Sequence, residues 1–124
     1  MKKVFLGVQI ITGLMLVVFG SNKFLSFIDM AAPTAEMGAY LGALGATGFL
    51  FPLIAIIEIV AGLAFISNKY VSLLVLFITP VMLNAFLAHL FLDPAGIGGS
   101  AFIMLALLSI IVNHKDRYSE IFKA

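Results

Sequence analysis

Four apolar runs, residues 4–19, 49–66, 70–91 and 97–112, dominate the chain. Each approaches the ~20 residues that a helix needs to cross the roughly 30 Å hydrocarbon core of a bilayer. Composition points the same way: 63% of the 124 residues are hydrophobic and 10% are charged, against roughly 45–50% and about 25% in soluble domains. A soluble domain of this size buries about two-thirds of its chain surface, so much of the apolar excess would face water. The expected fold is all-α: one membrane domain, a polytopic antiparallel bundle of four transmembrane helices over about 4–25, 49–66, 70–91 and 97–112.

The breaks between the runs set the topology. Ser67-Asn68-Lys69 leaves room only for a tight turn, so the second and third helices should pack as antiparallel neighbours. Pro52 suits the first turn of the second helix, and Asp93-Pro94-Ala95-Gly96 is a strong breaker before the fourth. Between the first two runs, Met37, Leu41 and Leu44 recur at i, i+4 and i+7 with Tyr40 alongside. That spacing predicts a short interfacial helix over 34–45, with an ordered loop as the alternative. Residues 113–124 read as a charged tail. The basic start Met1-Lys2-Lys3 followed by an apolar run shares features with a signal peptide. The run is longer than a usual signal core, however, and only Asp29-Met30-Ala31-Ala32 offers a weak cleavage site, so it is expected to stay as a span.

Charge gives the orientation. With the N-terminus inside, Lys2, Lys3, Lys69, Lys115, Arg117 and Lys123 share the inner face and Lys23 stands alone outside. That bias follows the positive-inside rule and requires an even number of spans. Both termini are therefore expected in the cytoplasm of a bacterial inner membrane.

Other functions are excluded by what is missing. A net charge of +1 with scattered basic residues offers no surface for nucleic acid. The chain has no cysteine, which removes thiolate catalysis and iron–sulfur ligation. No second histidine stands at i+3 or i+4 from His89, so neither a metal site nor haem ligation is expected. Gly96-Ile97-Gly98-Gly99 lacks the lysine and preceding strand of a phosphate loop.

Polar residues within the apolar runs are expensive in lipid and tend to face the bundle interior. In the first helix Gln9, Gly13, Leu16, Gly20 and Lys23 share one stripe at 100° per residue, suited to close approach of another helix. Glu58 is the sharpest feature, roughly 13 Å below the outer boundary, and must be neutral, paired or beside a water-filled cavity. Asn84 and His89 follow on the third helix, about 140° apart around an unkinked axis, with Pro80 expected to kink it. Lys23, Glu58, Asn84, His89 and Asp93 all belong to the outer half, whereas Gln9, Thr12 and Ser109 are the polar residues of the inner half. An outward-opening polar pocket would gather the first group.

Four local patterns in this order resemble the DoxX family of small four-helix membrane proteins. They are Phe19-Gly20-Ser21-Asn22-Lys23-Phe24 at the end of the first helix, Pro52 to Gly62 with Ile57-Glu58-Ile59-Val60-Ala61-Gly62, the Asn68-Lys69 turn, and Asn84-Ala85-Phe86-Leu87-Ala88-His89. The resemblance covers residues 4–112. It implies a compact four-helix bundle, an association with membrane redox chemistry of the thiosulfate:quinone oxidoreductase kind, and Lys23, Glu58, Asn84 and His89 as the matched positions. The expected function is a membrane redox accessory that binds a quinone-like or other lipophilic molecule, with a membrane or periplasmic redox partner and a possible homo-oligomer. Lys23, Asn84 and His89 would donate to a carbonyl and Glu58 would accept a proton. The alternatives are a scaffold subunit of a membrane complex and a small proton-coupled transporter.

Overall fold

The computed structural model describes residues 2–27 and 33–124; Asp29–Ala32, the weak cleavage segment, lies outside the described residues. Among them the chain is all-helical, with no strand. The helices are α1 (Lys2–Leu25), α2 (Ala35–Ala46), α3 (Leu50–Ser67), α4 (Val71–Leu92) and α5 (Gly98–Asn113), with 3₁₀ turns at Pro94–Gly96 and Lys115–Tyr118. The segment expected as interfacial helix or loop is thus helical. Three helices, α1, α3 and α4, are long and apolar enough to cross a membrane. α5 is equally apolar in character but has 16 residues, about 24 Å of rise.

α1 packs along α3, α3 on α4, α4 on α5, and α5 back on α1. Leu16, Phe65, Val75, Ile78, Leu107 and Ile110 meet at the centre and are buried almost completely. Many other apolar side chains point outward. Only 28–33% of each long span's most apolar window is buried inside the protein, and Leu14, Ile56, Leu63, Phe77 and Leu105 are exposed. An apolar belt of that extent is unsuited to water and matches lipid.

The tightest seam is α1 against α3. A Cβ added at Gly13 would lie 2.8 Å from the Gly62 carbonyl oxygen, and one at Gly62 would lie 2.6 Å from that of Gly13. The two backbones touch there, which only paired glycines allow. Buried Gln9 closes one end of this seam: its Nε2 donates to the Phe65 carbonyl (2.9 Å) and to Asn68 Oδ1 (2.9 Å). Phe65 lies in the last turn of α3, whose carbonyls have no partner within the helix, so Gln9 supplies one. It also steadies Asn68, which caps α3 in the left-handed conformation at φ 56°. The other inner-half polar groups bond within their own helices: Thr12 to the Val8 carbonyl and Ser109 to that of Ala106.

The helix α4 runs from Val71 to Leu92 with Pro80 inside it. The charged tail is partly folded: Tyr118 is buried, its hydroxyl donating to the Ser72 carbonyl at 2.8 Å, while Arg117 reaches Ser72 Oγ at 3.3 Å. This contact ties the end of the chain to the first turn of α4.

Candidate functional site

The stripe on α1 also sets the site. A Cβ at Gly20 would lie 3.1 Å from Glu58 Cβ, so the two helices are still in close contact one turn before Lys23. The Lys23 ammonium turns back onto α3 and donates to both oxygens of Glu58, at 3.1 and 2.8 Å. The lysine side chain is 27% exposed and the glutamate side chain 5%. Of the three fates open to a membrane carboxylate, Glu58 is therefore both paired and at the wall of a cavity.

That cavity has a volume of about 390 Å³, within the usual range for small-molecule sites. α1 contributes Lys23; α3 contributes Phe51, Ile54 and Glu58; α4 contributes Val81, Met82, Asn84, Ala85, Ala88 and His89, with Asp93 just beyond its end. α2 provides the fourth side with Met37, Tyr40, Leu41 and Leu44. Asn84 and His89 lie on opposite edges of the α4 face, with Ala85 and Ala88 between them. Both line the same cavity, although five residues separate them. The small alanines leave the space that the polar edges frame.

α2 is fixed by two bonds to α4. Thr34 caps the helix by accepting from the Met37 N–H (3.2 Å), and its hydroxyl donates to the Leu92 carbonyl at 2.6 Å. One such cap bond satisfies an otherwise unpaired backbone donor. Further along, Asn84 Nδ2 donates to Tyr40 Oη. One of the two amide N–H groups of Asn84 is thus engaged by Tyr40.

His89 packs against the turn after α4. A Cβ at Gly96 would come within 3.0 Å of both Nδ1 and Cε1 of the ring, so the ring fits tightly against this glycine. Nδ1 is buried without a hydrogen-bond partner. Among the described residues no group of three metal-ligating side chains comes together.

The four sequence candidates, Lys23, Glu58, Asn84 and His89, thus border one space together with Asp93. Tyr40 is the polar residue sequence reasoning left as a bystander. Its signal was present in the Met37, Tyr40, Leu41 and Leu44 spacing, which puts all four on one face of α2.

Fold and site together define an all-helical protein with three helices able to span a membrane and a polar-edged cavity between helices. Compared with models of protein families, with curated proteins and with solved structures, the chain has no match.

Proposed function

We propose that this is a DoxX-like integral membrane protein whose cavity binds a quinone-like or other lipophilic small molecule, serving membrane redox chemistry as an accessory. In this reading α1, α3, α4 and α5 are four transmembrane helices of an antiparallel bundle, with both termini in the cytoplasm of a bacterial inner membrane. The distribution of basic residues supports that orientation, and the shorter α5 is accommodated by local thinning of the bilayer. The cavity then opens in the outer half, where a periplasmic or membrane redox partner could reach its ligand.

One observation carries the reading: an apolar cavity of about 390 Å³ with its few polar side chains converging on it from α1, α2, α3 and α4. Mostly apolar walls with a few placed polar groups are the usual character of a small-molecule site. The Lys23–Glu58 pair makes the wall neutral in charge yet able to lend or take a proton. The test is calorimetric titration of the purified protein with a short-chain ubiquinone and with a menaquinone, compared with Glu58→Gln. The reading expects saturable binding that the substitution weakens. Absence of saturable binding to either quinone rejects it.

A scaffold role is the second reading, favoured by the way Lys23 and Glu58 satisfy each other and Gln9 satisfies α3. It expects Glu58→Gln to cost stability while leaving the cell's phenotype intact once expression is restored.

A further inference from the structure

The free hydrogen-bonding groups of the cavity narrow what it takes, an inference that rests on the binding role proposed above. Tyr40 Oη accepts from Asn84 Nδ2. A phenol oxygen that accepts this bond still carries its own proton, and among the described residues that proton has no acceptor. His89 is in the same condition. A neutral imidazole has one N–H and one bare nitrogen, and a buried N–H left without a partner is rarer than an unfilled acceptor. With Nδ1 sealed against Gly96, the proton belongs on Nε2, the nitrogen not sealed by that turn. Asn84 and His89 are separated by about 7.5 Å of helix rise on α4, so the two donors stand at different depths of one apolar-walled space. Lys23 and Glu58 cancel in charge, and the Asp93 carboxylate at the rim opposes an anion.

We infer that Tyr40 and His89 are paired donors for a neutral ring bearing carbonyls on opposite sides, held in its oxidised form, and that Asn84 is a positioning residue that orients the Tyr40 hydroxyl. At Tyr40 and His89 the reduced ring would present O–H groups where the site offers donors. Tyr40 itself touches the ligand; Asn84 acts through it.

The experiment measures the Kd of a short-chain ubiquinone, its hydroquinone, and an analogue with the same ring and tail but no carbonyl oxygens. The proteins are the full-length chain and its Tyr40→Phe and Asn84→Asp variants. Tyr40→Phe should weaken the quinone roughly three- to tenfold, the span of one hydrogen bond, and leave the carbonyl-free analogue unchanged. Asn84→Asp reverses the direction of the Tyr40 contact: the phenol now donates to the carboxylate and offers the ligand only lone pairs. The ratio of quinone to hydroquinone affinity should therefore fall, which a merely structural defect would not produce because it weakens both ligands alike. If the wild type binds no quinone, the binding role itself fails. If the wild type binds and Tyr40→Phe leaves the quinone Kd unchanged, the assignment of Tyr40 falls. If Asn84→Asp folds but lowers both affinities equally, the positioning role of Asn84 falls.

Discussion

Lys23→Met leaves the Glu58 carboxylate buried with neither of its two charge-assisted bonds, at 3.1 and 2.8 Å. Breaking a fully buried pair from one side costs about 3–5 kcal/mol. The lysine side chain is 27% exposed and the glutamate's 5%, so part of the attraction is already screened, and a cost of about 2–3 kcal/mol is expected after that discount. Glu58→Gln should cost less, about 1 kcal/mol, because the amide oxygen still accepts from Lys23 and the lysine can swing outward to the headgroups. The double variant should recover part of the Lys23→Met loss, because no buried charge is then left alone. Reversible unfolding of the four proteins in mixed micelles gives the cycle, with an expected coupling of about 1.5–2 kcal/mol. The reasoning is refuted if Lys23→Met lies within about 0.5 kcal/mol of wild type, or if the two single losses simply add.

Other outcomes follow from the packing. Gly62→Ala places a methyl 2.6 Å from the Gly13 carbonyl oxygen and should destabilise by about 1–3 kcal/mol. Gly7→Ala meets nothing within 4 Å and should be neutral or stabilising by up to about 1 kcal/mol; the same unfolding assay compares them. Thr34→Val removes the α2 cap and the bond to Leu92, and should speed amide exchange across α2 while leaving α3 unchanged. Burial, aided by Arg117, holds the His114 imidazole below its ordinary value of 6.5. The unfolded tail therefore binds a proton first as pH falls, and the docked tail loses stability from about pH 6.5 downward. Limited proteolysis after Tyr118 should become faster at pH 5.5 than at pH 7.5, and His114→Gln should remove the difference.

Much of this architecture could be read from hydropathy and spacing, for a physical reason. In lipid every backbone group must be bonded within its own segment, so an apolar run of sufficient length has helix as its only economical form. The ends expected at 25, 66, 91 and 112 fall within one residue of Leu25, Ser67, Leu92 and Asn113. The polar exceptions were equally legible, because so few charges stand inside the spans that each is conspicuous. The tail was not: Tyr118 sits among charged residues and no periodicity marks it as buried, since its partner is the Ser72 carbonyl 46 residues away.

The site divides along the same line. Sequence led to the expectation that Lys23, Glu58, Asn84 and His89 share one half of the membrane, because depth in a helix is a matter of counting residues from its end. Which of them touch was beyond counting. The glycine contacts of α1 and α3 decide that Lys23 reaches Glu58, by letting the backbones approach until a lysine near a helix end can reach a mid-helix carboxylate. The docking of α2 decides that Asn84 donates to Tyr40, whose own proton then has no acceptor among the described residues. Spacing along a helix is local and repeats every 3.6 residues, but the direction of a hydrogen bond between helices depends on how the helices are set against each other, and only the packed fold specifies that.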